Sequence, residues 1–313
     1  MVAAEIGIAR CAKIPTWFGV GGGADAFLTL TNADELGRLI ATHPDLKIVG
    51  DGANLLVDDE GVGELVVSLA GDAAWSIDAK NGLVSAAAGA NLPKLINACV
   101  REGLAGLEVL AGIPASVGGA LVMNAGGGFG QIADVVERVH GFDRAGSPVT
   151  LTRNEIDFAY RHSGLEPLLL TRAELRLTPG DQKAIRARQV EIMAYKSQSQ
   201  PMAANSAGCV WKNPTLAADI RDIGAAGTRV SAGMLIDRAG LKGLGVGGAS
   251  ISPRHANFVV TQGHACARHV IDLMRDTRAR VFDSFGVRLE PEVVIWRRGG
   301  VGLDAEPSAG RGG

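Results

Sequence analysis

Aromatic side chains are scarce in this chain: Phe, Trp and Tyr make up 4% of its 313 residues, and only two are tyrosine. A core built without aromatic slabs must rest on Ala, Val, Leu and Ile, and an apolar content of 47% supplies them while excluding general disorder. Net charge is equally scarce, at −2 from 31 basic and 33 acidic residues, which removes the electrostatic case for nucleic acid or an anionic membrane surface. Cys11, Cys99, Cys209 and Cys266 stand far apart with no CxxC pair, so neither a zinc site nor a disulfide framework is indicated. His43, His140, His264 and His269 are too scattered to act as metal ligands, and no metal is expected. Residues 1–15 lack the apolar core of a secretory signal, and reduced thiols in a cytoplasm are the expected setting. No GxxxxGK[ST] motif and no internal repeat is present, which removes phosphate-loop NTPases, solenoids and propellers.

What the chain has in excess is glycine: 43 residues, about twice the usual ~7%. They show no period of three, so collagen is excluded. Residues 109–133 run for 25 positions without a formal charge, long enough to span a bilayer, but seven glycines in clusters would break a helix there. A buried glycine-rich segment lying against a ligand explains that stretch better. Strands and helices otherwise alternate. Periodicity predicts helices after Thr31–Glu35, from Asn91 through Val100, over 181–197, 232–238 and 266–285, with Cys99 on a buried stripe. Strands are predicted at 46–49, 65–69, 135–142, 168–177, 209–212, 257–260 and 293–295, with a hairpin over 74–87. The character changes near Pro201, where we expect a domain boundary, and residues 298–313 carry no large apolar run and predict a disordered tail.

Three glycine-bearing segments could meet a phosphate. Gly19–Ala24 fits a loose GxGxxA, but a strand-like run rather than a helix follows it, which argues against a dinucleotide fingerprint. Gly50-Asp51-Gly52-Ala53-Asn54 follows a strand, and Gly112-Ile113-Pro114-Ala115-Ser116-Val117-Gly118-Gly119 precedes a possible helix start. Both can present consecutive backbone N–H groups to a diphosphate without a lysine, or can be ordinary left-handed turns.

Those two segments, with Met123-Asn124-Ala125-Gly126, Tyr160-Arg161-His162-Ser163, Ala207–Pro214, Ala239–Gly243, Ser252–Phe258 and Leu289–Val293, occur in an order that resembles the UDP-N-acetylenolpyruvoylglucosamine reductases, also called UDP-N-acetylmuramate dehydrogenases. The resemblance runs from about residue 14 to 296 and is closest to the subfamily without an extra tyrosine-bearing loop. It implies an α+β protein with the FAD-binding fold of the vanillyl-alcohol-oxidase type and a C-terminal α+β substrate domain. The implied division is 1–70 and 71–200 as two FAD-binding subdomains, 201–297 as the substrate domain whose last strand returns to the flavin, and 298–313 as tail. It further implies a cytoplasmic monomer that uses NADPH and FAD to reduce UDP-N-acetylglucosamine enolpyruvate in peptidoglycan precursor synthesis, without nucleic-acid or membrane partners.

By the same resemblance Gly50, Asp51, Gly52, Ala53, Asn54, Leu55, Gly112, Pro114, Ala115, Ser116, Gly118, Gly119, Asn124, Ala125 and Gly126 would hold the cofactor. Tyr160, Asn213, Lys242 and His255 would meet the substrate, and Arg161, Cys209 and Glu292 match the catalytic positions. Cys209 stands where the family has serine, and Phe129 stands one position after the family's tyrosine. A thiol can still give a proton, being mostly protonated at neutral pH with an ordinary pKa of ~8.5. Two other readings stay open: a flavin oxidoreductase of the same fold on another substrate, and an inactive nucleotide-sugar-binding homologue.

Overall fold

A computed structural model describes residues 7–304, and the chain divides into two compact units. Of the described residues, the first gathers 7–10, 26–51 and 64–198, and the second 11–25, 52–63 and 199–304.

In the first unit, five antiparallel strands lie in the order 148–152, 136–142, 169–176, 83–87 and 75–78. The hairpin of the last two is the one expected around Asn81-Gly82, with Gly82 at φ 66 and its Cβ direction closed by the Leu177 carbonyl. Residues 148–152, not anticipated from the sequence, form the edge strand. Helices α1 (Leu36–Thr42), α2 (Leu92–Arg101) and α3 (Val117–Val122) bury apolar stripes in the core. On α2 the stripe is Leu92, Leu95, Ile96, Cys99 and Val100, as its periodicity predicts, and burial pushes the Cys99 thiol up to about 12, so it is packing and not chemistry. Helix α4 (Gln182–Ser199) buries only Ile185 and Ile192 and is otherwise tethered by polar side chains.

The second unit packs α5 (Ala232–Arg238) and α6 (Ala267–Phe285) with a three-stranded antiparallel sheet of 245–246, 249–251 and 259–261. A short parallel pairing joins 55–57 to 294–297, and 300–301 folds back on the latter. The expected disordered tail is therefore corrected up to residue 304: Leu303 is buried, and Asp304 pairs with Arg278 and Arg288. The rest of that tail, 305–313, and the first six of the residues read as lacking a secretory signal lie outside the described residues.

Residues 209–212 do not form the expected strand. Gly208 at φ 78 breaks the extended run, and Cys209 then bridges Phe258 while Trp211 bridges Pro291, so partners alternate instead of forming one ladder. The Gly19–Ala24 run opens the strand Gly23–Thr29 and no helix, and a Cβ on Gly21 would lie 2.2 Å from the Val57 carbonyl. Its glycines serve backbone packing, and the dinucleotide fingerprint is excluded. Among the described residues no helix is long and apolar enough to cross a membrane.

Candidate active site

The two predicted phosphate turns are shaped by neighbours that leave no room for side chains. A Cβ on Gly50 would meet Ser116 Oγ at 2.3 Å, and one on Gly118 would meet Ala88 Cβ at 3.0 Å. Ser116 is buried and caps α3 by accepting from the Gly119 amide at 3.2 Å. Asn91 caps α2 at the Lys94 amide, 3.1 Å, and its Nδ2 donates to Asp51 Oδ2 at 3.1 Å, tying the Gly50-Asp51 turn to that helix. Burial raises the Asp51 pKa above the usual carboxylate value against the lowering effect of the Asn91 hydrogen bond and of Lys94. Leu92 donates to the Ala115 carbonyl at 2.9 Å, and Gly112 at φ 79 and Pro114 set the bend that leads into Ser116.

The other half of the first turn belongs to the second unit. Gly52 has φ 66, and a Cβ there would lie 2.0 Å from the Pro15 carbonyl, so only glycine fits. Among the described residues the backbone N–H groups of Gly52, Ala53 and Asn54 reach no protein acceptor. Three successive donors with nothing to bond, one of them on a buried residue, fit an anionic diphosphate such as that of FAD. Asn54 itself donates through Nδ2 to the Glu292 carbonyl at 3.1 Å, and Leu55 pairs with Val294.

At the far end of the glycine-rich stretch, Asn124 is buried at φ 41 and its side chain is spent on the protein. Its Nδ2 donates to Gln131 Oε1 at 3.1 Å and to the Ala159 carbonyl at 2.8 Å, and its Oδ1 accepts from the Ala133 amide at 3.3 Å. It joins Ala125 and Gly126 to the turn that carries Tyr160 and Arg161. Arg161 occupies φ 54, uncommon for a side chain of its size; NH1 donates to the Gly126 carbonyl at 2.9 Å and the guanidinium lies 5.5 Å from the Tyr160 ring. Phe129, the displaced aromatic, meets Tyr195 of α4 edge-on at 5.5 Å.

In the second unit, Val210 donates to the Asn257 carbonyl, Lys212 to the Glu290 carbonyl and Glu292 to the Val210 carbonyl, at 2.8–2.9 Å. The backbone around Cys209 therefore runs beside that of Glu292. Asn257, which sequence reasoning passed over, fixes this arrangement from below: it is buried, its Oδ1 accepts from the Trp211 amide at 3.0 Å and its Nδ2 donates to the Trp211 carbonyl at 2.8 Å. Asn213 Oδ1 accepts from the Ala232 amide at 3.0 Å, which links it to the start of α5. Lys242 pairs with Asp237 at 2.7 Å. His255 meets Phe258 edge-on at 4.8 Å and accepts through Nδ1 from the Asn257 amide at 3.2 Å; burial lowers its pKa, and Lys242 adds to the effect. Asn213, Lys242 and His255 thus gather around one short helix, while Cys209 and Glu292 share the neighbouring segment. Tyr160 and Arg161 belong to the first unit. A further cation in that unit, Lys196 of α4, also escaped the sequence reading; the recurrence of Gln182, Gln189 and Lys196 on one helix face is the signal that could have found it.

Residues 24–152 match the model of an FAD binding domain, and residues 200–296 match that of the UDP-N-acetylenolpyruvoylglucosamine reductase C-terminal domain. The chain is 39% identical over 283 residues to UDP-N-acetylenolpyruvoylglucosamine reductase 2 of Symbiobacterium thermophilum, covering 88% of this chain and 87% of the relative. It is 37% identical over 294 residues to the reductase of Paramagnetospirillum magneticum, covering 93% and 90%. The crystal structure of the reductase from Thermus caldophilus superposes with a TM-score of 0.74 at 40% identity, covering 90% of this chain and 95% of that one. With relatives matched along nearly their whole length and both characteristic domains in order, the chain belongs to the UDP-N-acetylenolpyruvoylglucosamine reductase family, an FAD-binding oxidoreductase family.

Proposed function

We propose that the protein reduces UDP-N-acetylglucosamine enolpyruvate to UDP-N-acetylmuramate with NADPH, as a cytoplasmic monomer in peptidoglycan precursor synthesis. The observation that carries this reading is the pairing of 210–212 with 290–292, which sets the two polar residues of the predicted proton transfer, Cys209 and Glu292, on adjoining backbone segments. Bound FAD would supply the hydride chemistry between NADPH and the methylene carbon of the enolpyruvyl group. Gly52, Ala53 and Asn54 are suited to hold its diphosphate through their N–H groups, with Ser116 and Asn91 fixing the neighbouring turn.

Negative charge then develops on the substrate toward its carboxylate. Arg161 is suited to receive it, because its backbone conformation and its bond to Gly126 fix the guanidinium before substrate arrives. The adjacent carbon needs a proton, and Cys209 supplies it from Sγ and takes another from water afterwards. Serine and cysteine both carry one transferable proton, so the change from the family residue preserves the role while raising the acidity of the donor. Glu292, whose backbone runs beside that of Cys209, is suited to orient the enolate or relay protons. Asn213, Lys242 and His255 take the nucleotide end, where a cation and polar side chains meet the substrate diphosphate and uridine.

The test is anaerobic. The purified flavoprotein should bleach on addition of NADPH and recover its colour on addition of the enolpyruvyl nucleotide, with one UDP-N-acetylmuramate formed per flavin. A colourless protein that takes up no flavin, or a reduced one that the enolpyruvyl nucleotide does not reoxidise, contradicts the proposal.

A further inference from the structure

The run from Cys209 to Lys212 has no continuous ladder to set its register. Cys209 bridges Phe258, and the Val210 amide donates to the Asn257 carbonyl at 2.9 Å. The Val210 carbonyl accepts from the Glu292 amide at 2.8 Å, and the Lys212 amide donates to the Glu290 carbonyl at 2.9 Å. Each neighbouring segment thus holds the run at one or two points. An extended segment held so sparsely can slip by one residue, and a slip turns every side chain to the opposite face. Trp211 is where that freedom ends.

Among the described residues, both backbone polar groups of Trp211 are served by one side chain. Asn257 Oδ1 accepts from the Trp211 amide at 3.0 Å, and Nδ2 donates to the Trp211 carbonyl at 2.8 Å. Trp211 is 1% exposed and Asn257 3%, so neither Trp211 group can turn to water instead. A neutral amide is the side chain that gives and takes a hydrogen bond at once without carrying charge. Asn257 is fixed in turn by its own backbone, whose amide donates to His255 Nδ1 at 3.2 Å and whose carbonyl is the Val210 acceptor. Helix α5 presents Gly233 to it, where a Cβ would lie 3.5 Å from the Asn257 Cβ, and His255 is the titratable side chain that faces it. After a slip the amide would face Val210 or Lys212, whose backbone groups are engaged elsewhere. The paired bonds therefore select one register, which no single bond in the run does.

We infer that Asn257 is a positioning residue for the protonation step: by holding Trp211 from both sides it fixes the register of 209–212, and with it the placement of the Cys209 thiol beside the Glu292 segment. What Cys209 does there rests on the proposed function; the register device rests on the bonds of the second unit alone. The amide of Asn257 is spent on Trp211 and its backbone on Val210 and His255, so it acts through Cys209 and not on the substrate. Its loss should slow the half-reaction that needs a proton and spare the one that takes hydride from NADPH.

The experiment is stopped-flow flavin absorbance of FAD-loaded Asn257→Asp, prepared at about pH 6 and measured there and at about pH 8.5 beside the parent protein. Burial raises the introduced carboxyl above its ordinary ~3.9. Protonated, it accepts from the Trp211 amide and donates to the Trp211 carbonyl as asparagine does; ionised, it cannot donate. Relative to the parent at the same pH, reoxidation by the enolpyruvyl nucleotide should be within about threefold at the lower pH and slowed by about ten- to a hundredfold at the higher. Bleaching by NADPH and the half-saturating nucleotide concentration should stay within about twofold at both. Asn257→Ser, whose single hydroxyl cannot span both groups and does not titrate, should be slow at both, which separates the carboxyl from His255. The same rate ratio at both pH values in Asn257→Asp, equal slowing of the bleaching, or parental reoxidation in Asn257→Ser would overturn the positioning role. So would an Asn257→Asp protein that takes up no flavin at the lower pH. Hydrogen exchange of the Trp211 amide reads the register without substrate: Asn257→Asp should match the parent at the lower pH and exchange at least about tenfold faster than it at the higher. Equal protection at both overturns the register device, whereas a reduced parent protein that the enolpyruvyl nucleotide does not reoxidise contradicts the proposed function.

Discussion

The glycine-rich segment of the first unit and the Cys209–Glu292 segment of the second are built on opposite plans. Between Gly112 and Gly126 the side chains face inward on the protein: Ser116 caps a helix, Asn124 joins three loops, and the glycines admit neighbouring atoms at distances where a Cβ would clash. In the second unit the backbone is consumed by short bridges and by Asn257, and side chains of varied chemistry, Cys209, Asn213, His255 and Glu292, cluster along it. The lesson is that one region is specified by backbone conformation and the other carries functional groups on a fixed backbone. Substitutions in the first should cost stability and cofactor binding together; those in the second should cost chemistry while sparing the fold.

Gly52→Ala carries the largest effect and applies the conformational plan to a turn of the second unit, so that the contrast divides segments and not whole units. A methyl group 2.0 Å from the Pro15 carbonyl, at φ 66, cannot be accommodated without moving the turn, so a loss of more than about 3 kcal/mol together with loss of bound flavin is expected. Thermal melts with and without FAD would read both. Asn124→Ala comes next: it removes a buried side chain that holds three hydrogen-bond partners, one of them the buried Ala133 amide, and urea denaturation should show a loss of about 2–4 kcal/mol. Ser116→Ala removes one helix cap and should cost about 1 kcal/mol in the same assay. The smallest effect is a pH dependence from the second unit. His255 has a lowered pKa because it is buried, so its neutral form adds stability that is fully present above 6.5, the ordinary value, and is lost as pH falls through the lower folded value. His255→Asn should flatten the acid side of the stability profile by about 1 kcal/mol or less. If that variant instead destabilised the fold as strongly as Asn124→Ala, the division between a conformational region and a chemical one would fail.

The parts of the fold that were legible in the sequence are those whose causes are local. Asn91 and the stripe through Val100 define α2, Ser231 caps α5 by accepting from the Met234 amide, and Asn81-Gly82 turns the hairpin. What was not legible depends on distant partners. Residues 55–57 form a strand because 294–297 lie beside them, and 209–212 fail to form a ladder because Phe258 and Pro291 compete as partners. Leu303 and Asp304 order the end of the chain through α6, which no local signal in a glycine-rich segment reveals. The site divides in the same way. The two turns and the cysteine stood out through their motifs, but nothing near Asn257 in sequence announces that it holds Trp211 from both sides.

The most direct test of the account is stopped-flow flavin absorbance of Cys209→Ala in the two half-reactions. The account predicts bleaching by NADPH at a rate close to that of the parent protein, reoxidation by the enolpyruvyl nucleotide slowed by about a hundredfold or more, and recovery of that second phase in Cys209→Ser. Equal slowing of both phases, or reoxidation at the parental rate without the thiol, would contradict it.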